Sequence, residues 1–396
     1  MTNTLGNYDP NFYAANALIQ LEKALGLAGR VHRGYDKNPQ EYGSVINLRR
    51  PTYFTAQTMP ISSANTSNLN PDNVAISLDQ WYGTQIGLTD KELAYTQERI
   101  INEHIRPMAS AVADQMDLSL NQLATTVPWY FVAANTGTAT GVSDIPALRR
   151  RLFENKVPLN DVALELNPER EQWFLSQDTF VKANEAGSSD AQMRGSLGRK
   201  FGFEIFANQN VQAQPAGGSL AETGAGSFSV SATLTVGATS ITIAASTMSG
   251  TLKVGDIIQV GHVGTDGLSG SALTVARNFV VTANATATSD AIVVSILPKV
   301  QVAASAGSSA HIVLQATTKY DNLAFHRNAF ALAMAPLPET ARILGAQVAT
   351  VLDPITGLSL RSTMWYDGLD AKVYVRIDAL WGIKTLNADM AVRYVS

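Results

Sequence analysis

Cysteine is absent from these 396 residues. That excludes a disulfide framework, a thiolate metal site and a cysteine nucleophile. Histidine is scarce, the five being His32, His104, His262, His311 and His326. No two stand at the i, i+4 spacing of a helical zinc site, and no HExxH occurs. Charged residues make up only 16%, and a formal net charge of −4 leaves no footprint for reading nucleic-acid sequence, which shows as a basic face. No apolar run approaches the roughly 18 residues of a membrane span. Met1–Pro10 lacks the basic start and apolar stretch of a secretion signal. Asn65-Thr66-Ser67 and Asn284-Ala285-Thr286 fit the glycosylation pattern, and without such a signal they read as chance.

Two motifs come near to chemistry and miss it. Gly195 to Lys200 is glycine-rich and basic, but it lacks the GxxxxGK[ST] spacing and leads into a strand. Gly267 to Ser271 resembles a nucleophile elbow without its final glycine. The sequence gives no warrant for an enzyme: no catalytic residue, cofactor or metal site is expected.

What is present is a run unlike its surroundings. Residues 217–316 hold no Trp, no Tyr and seven charged residues. They are rich in Gly, Ser, Thr, Ala and Val. Phe228, Val230, Ala232, Leu234 and Val236 alternate with Ser and Thr, a period of two that predicts a strand. Further strands are expected at 240–244, 257–260, 279–283, 291–297 and 311–315, spaced by turns as in a small barrel or sandwich.

The flanks have ordinary mixed composition. Asn11–Ala28 predicts an amphipathic helix. Val45–Pro51 and Val74–Leu78 predict two strands joined by a long polar reach. A Thr89-Asp90-Lys91-Glu92 capping box opens a helical region expected to reach about Ala124, some 50 Å at about 1.5 Å per residue, with a kink or break at Pro107. A helix at 145–154, a strand at 162–166, a helix from Glu169 and a strand at 201–206 follow. Leu358–Trp365 and 373–378 predict a C-terminal hairpin. The pattern is an all-β module inserted in an α+β host, with two or three domains.

Several segments, in order, resemble bacteriophage coat proteins of the P22-type family, which has the HK97-like fold. They are Val31–Tyr35, Gly43–Pro51, Leu88–Asp90, Glu98–Ile100, Ile105–Pro107, Ala113–Asp117, Pro158, Leu166–Pro168, Gly198–Phe203, Asn208–Val211, Leu323–His326, Ala329–Phe330, Gly357–Arg361, Arg376–Asp378 and Trp381–Gly382. Within the inserted run, Leu252–Ile257 and Phe279–Thr282 look like the extra β-barrel of such coats. The resemblance spans nearly the whole chain.

It implies an N-terminal arm at 1–40, an extended loop at 41–85, a peripheral domain with a spine helix at 86–179, and an axial domain at 180–216 and 317–355. The inserted β-barrel would occupy 217–316, and C-terminal peripheral strands 356–396. It also implies a homo-oligomer of hexamers and pentamers in an icosahedral shell around double-stranded DNA. Scaffolding, portal and decoration proteins would be partners, no membrane would be involved, and the virion capsid, assembled in the host cytoplasm, would be the location. Some members clamp neighbours with a long charged loop. Here 217–227 carries only Glu222.

Arm and extended loop are expected to bury little within their own subunit and to order on a neighbour. Candidate subunit-interface residues are Arg49 and Arg50 at the loop's base and the triplet Arg149, Arg150 and Arg151. The bland reading of each is a solvated face. Trp81, Tyr82, Trp365 and Trp381 are read as core aromatics, with interface anchoring the alternative. Two rival functions remain: a nanocompartment shell of the same fold holding protein cargo, and a β-rich surface or tail binding module.

Overall fold

The computed structural model describes residues 14–15, 17–19, 26–33, 45–50, 59, 72–89, 106–133, 143–182, 190–222, 228–260, 277–288, 290–313, 318–340, 345–352 and 358–396. Its contacts divide the chain into two compact units. One comprises 1–49, 73–120 and 330–384, the other 50–72, 121–329 and 385–396.

The first unit is organised by one long strand, Lys372–Thr385, in a five-stranded sheet with Phe330–Ala335, Ser359–Asp367, Gln347–Leu352 and Gln80–Thr89. The expected C-terminal hairpin is present, in register from Asp367 opposite Lys372 to Arg361 opposite Asp378. Gln80–Thr89 flanks the same strand, from Trp81 opposite Leu380 to Thr89 opposite Lys372. The sequence pattern had not assigned this strand, because glycines at 83 and 87 interrupt it. Both are required by the neighbour: a Cβ at Gly83 would lie 2.6 Å from Asp378 Cβ, and one at Gly87 2.8 Å from the Tyr374 ring. Val45–Arg50 and Asp72–Ser77 form a separate two-stranded sheet, as the paired-strand reading expected. Thr89 ends a strand, and the rest of its proposed capping box lies outside the described residues.

The described helix runs Arg106–Gln122 and tightens into a 3-10 turn at Leu123–Thr126. Pro107 is the second described residue of this helix, and the stretch before it, on which the expected kink or break turns, lies outside the described residues. The stripe Met108, Val112, Met116 and Leu120 is buried as its spacing predicts.

The described residues before Arg33 depart from the expectation of little burial. Ala14, Ala17, Leu27, Ala28 and Val31 are all buried at 1% exposure or less. Apolar side chains at these described positions find a core in their own subunit. Residues 14–15 and 17–19 are helical, but the predicted helix does not reach Ala28, since 28–30 form a turn. Asp117 on the helix fixes that turn, accepting the Gly26 N–H at 2.7 Å and the Ala28 N–H at 2.9 Å.

Burial pushes the Asp117 carboxyl above its ordinary value, against those same hydrogen bonds. A carboxyl with a raised folded pKa holds its proton more tightly when folded. The native state therefore gains stability as pH falls through that folded value toward about 3.8, the reverse of a salt-bridged aspartate. Asp117→Asn should abolish the gain, read as urea midpoints at neutral and mildly acid pH. Asp117→Ala should strand two backbone donors, cost about 2–4 kcal/mol and open Arg30 to trypsin. A variant as resistant as wild type would contradict this anchoring.

The second unit is built on a seven-stranded sheet in the order Tyr130–Val132, Ala391–Val395, Lys319–His326, Val162–Leu166, Phe203–Ala207, Arg199–Lys200, with Ala213–Gln214 beside Lys319–Tyr320. The last strand of the chain thus leaves the hairpin's sheet and sits inside this one, all five residues buried. Asn167 caps helix Pro168–Leu175 by accepting the Arg170 N–H at 3.2 Å, with Pro168 in the first turn.

The inserted run leaves after Ala213–Gln214 and returns at Lys319, and these two strands pair with each other. An insertion at a paired base leaves the host sheet uninterrupted. The run contains a six-stranded sheet, ordered Ser229–Val230, Ser240–Ala244, Ala291–Leu297, Arg277–Val281, Ile257–Val260, Ala310–Val313. Its core, including Leu220, Ile241, Ile243, Ile258, Phe279 and Val294, is drawn from the run itself. Hydrogen bonds from Val230 N to Ser308 O and from Ala310 N to Phe228 O, each 2.9 Å, join the two end strands of that path. The alternation at 228–236 overreaches. Only Ser229–Val230 is strand, and Leu234 pairs separately with Ala304 before a turn in which Gly237 takes φ 90°.

Candidate subunit interface

Several buried polar side chains in the second unit are matched to one another. Tyr394 donates its hydroxyl to Asp144 at 2.7 Å, and burial raises that hydroxyl's pKa well above the ordinary value. His326 is held below its usual value by burial, with Asp161 opposing, and its Nδ1 accepts the Asn328 N–H at 3.2 Å. Among the described residues no group of three or more His, Asp or Glu could hold a metal ion.

The arginine triplet divides by helical geometry. On helix Asp144–Glu154, Arg150 is 77% exposed and pairs with Glu154 at 3.3 Å. Arg151 turns inward, its guanidinium 4.1 Å from the centre of the fully buried Trp129 ring, with Glu154 at 3.2 Å. That burial lowers its pKa, and Glu154 opposes the shift. Arg149 donates to the Phe201 carbonyl at 2.6 Å. Phe201 and Gly202 form the two-residue turn between paired Lys200 and Phe203, with φ of 50° and 90°. Glycine suits such a turn and phenylalanine does not, and the Arg149 bond helps hold it there. Arg49 and Arg50 end the strand Val45–Arg50, and their side chains lie outside the described residues.

The four aromatic candidates behave differently. Trp381 is fully buried, stacked with Tyr82 at 5.4 Å, while Tyr82 itself is 43% exposed. Trp81 is 59% exposed, yet its indole N–H donates to Asp378 at 3.0 Å. Trp365 stacks on Tyr374 at 5.3 Å beneath Arg376. Asp378 is the centre of this group. Arg361 grips it with two bonds, 3.0 Å through Nε and 2.5 Å through Nη2.

A second buried cluster ties the inserted run to its host sheet, and sequence reasoning did not find it. Arg277, on an inserted strand, meets Asp389 at 2.8 Å with both side chains at 5% exposure or less. Asp389 also accepts the Trp129 indole N–H at 2.9 Å. Arg393 on the last strand pairs with Asp321 at 3.3 Å and donates to the Gly255 carbonyl at 3.0 Å. Asn278 donates to the Pro128 carbonyl at 3.3 Å. The one sequence signal is that Arg277 is a rare charge in a run almost free of charge.

No family model matches the chain, and no curated protein matches it. Among solved structures it is similar to one from Mycobacterium phage Che8, at 13% identity over 93% of this chain and 90% of that one, with a TM-score of 0.49. It is similar to the capsid of cyanophage P-SCSP1u at 9% identity, covering 90% and 84%, TM-score 0.45. It is similar also to the mature capsid of bacteriophage PhiM1 at 11% identity, covering 92% and 84%, TM-score 0.45.

Some of the segments that resemble P22-type coats contain residues that make buried or close contacts. Asp117 holds the turn at 26–28, and Asn208 donates to the buried Glu165 at 2.7 Å. Arg361 and Asp378 form the grip just described. A Cβ on Gly382 would lie 2.2 Å from the Ser77 carbonyl.

Proposed function

We propose that this chain is a major capsid protein, self-assembling into hexamers and pentamers of an icosahedral shell that encloses a phage double-stranded DNA genome. One observation carries the reading. Some of the segments that resemble P22-type coats contain residues that hold a unit together, Asp117, Asn208, Arg361, Asp378 and Gly382 among them, and the run 217–316 lies between two strands that pair with each other. A motif set that merely drifted into similarity has no reason to fall on the Asp117 anchor, the Asp378 grip and the obligatory glycine at 382 together.

On this reading the domain plan is that of such coats, with the inserted run as an outward β-barrel. Shell formation then needs only heterologous edges that close into rings, each weak and many acting together. Arg149 and Arg150 are the triplet members at the surface, available to carboxylates of a neighbour, while Arg151 serves the subunit itself. Arg49 and Arg50 keep the same candidacy at the extended loop. Scaffolding and portal proteins are the assembly partners, a decoration protein is a further one, and the mild net charge suits a wall that contains DNA without gripping it.

Sedimentation velocity tests the reading. With rising concentration, or with a co-expressed scaffold, species far heavier than the 42.3 kDa chain should appear. A monomer under every such condition overturns it. Nuclease-protected DNA in particles from infected cells, rather than enclosed protein, separates a virion shell from a nanocompartment.

A further inference from the structure

Gln80–Thr89 is an unusual strand to leave at a sheet edge. It is ten residues long and contains neither a charged residue nor a proline. Those are the usual devices by which proteins prevent an edge from pairing with another chain. Its inner side bonds to Lys372–Trp381. Among the described residues, no strand pairs with its outer side. The strand Gln347–Leu352 of the same sheet is treated differently: Glu339 accepts the Thr350 N–H at 3.0 Å, and the Leu337 carbonyl accepts the Thr350 hydroxyl at 3.1 Å.

The exposed aromatics of this strand are also pre-ordered. Trp81 is fixed by its bond to Asp378 and Tyr82 by its stack on Trp381, although both are more than 40% exposed. Large aromatics that are immobile and half-exposed lose little entropy on being covered.

We infer that this edge pairs antiparallel with the same edge of a second copy, across a two-fold axis normal to the sheet. Such an axis preserves faces, so one residue must stand opposite its own copy. Centring on Thr84 sets Trp81 opposite Gly87 and Tyr82 opposite Ile86. That is large against absent, and aromatic against β-branched, the favoured cross-strand combinations. Centring on Gln85 would instead waste Gly83 on Gly87. The inference rests on the reading that copies of this chain associate, and it names one of the edges that meet.

The absence of cysteine makes the register measurable. Thr84→Cys should convert most of the protein to a disulfide-linked dimer under mild oxidation, because opposed residues lie about 4.5–5.5 Å apart. Gln85→Cys should give none, because its copy would lie on the diagonal at about 7–8 Å, beyond disulfide reach. If Thr84→Cys fails to fold, Tyr82→Cys mixed with Ile86→Cys supplies the same readout. No dimer from either the Thr84 variant or the mixture, or a dimer from Gln85→Cys alone, overturns the inference. Heavy particles without the cross-link would remove this edge and leave the shell standing. The cross-link without heavy particles would do the opposite.

Discussion

Asp378→Ala should destabilise the first unit by roughly 3–5 kcal/mol, the range for removing one partner of a buried ion pair. The reason is what it strands. Arg361 would keep a buried guanidinium with no carboxylate, and Trp81 would lose the acceptor of its indole N–H. The conservative Asp378→Asn should fall between, keeping an acceptor and losing the charge. A double change of Asp378 and Arg361 to apolar residues of similar volume should recover much of the loss, because the stranded charge goes with its partner. Equilibrium urea unfolding measures all three. Equal losses for the single and double variants would show that the pair's charge is not what matters.

The second large effect is expected at the seam of the inserted run. Asp389→Ala takes the carboxylate from the buried Arg277 and the acceptor from the Trp129 indole, again a loss of roughly 3–5 kcal/mol. Its signature is regional. The inserted run has its own core, so its strands should stay protected in hydrogen exchange while Ala391–Val395 and Tyr130–Val132 lose protection. Uniform loss of protection across both would mean that the run and its host unfold as one body. Excising 217–316 with a short linker extends the test: the host loses the Arg277 and Gly255 contacts together, and its stability should drop.

Legibility in the sequence followed the range of the forces involved. The strands at 240–244 and 291–297 match the alternation because each packs one face on a local core. The helix stripe from Met108 to Leu120 was readable for the same reason. Gln80–Thr89 was not, since its two glycines answer to Asp378 and Tyr374, far away in the chain. The Arg277–Asp389 pair was invisible because no local pattern links an inserted strand to the chain's last turn. The described residues before Arg33 misled in a different way. Its small buried residues, Ala14, Ala17 and Ala28, give a weak apolar signal, although they pack completely. Of the candidate interface residues, the triplet was correctly placed on a helix, but which member faces outward depends on Trp129 and on the Phe201 turn.

Electron microscopy of the purified chain, alone and with a co-expressed scaffold, bears most directly on whether this protein works through edges that mate with its own copies. Closed particles of uniform diameter, resolving into rings of five and six, are the predicted images. A field of isolated molecules of about 42.3 kDa at the highest attainable concentration, with the scaffold present, would contradict it.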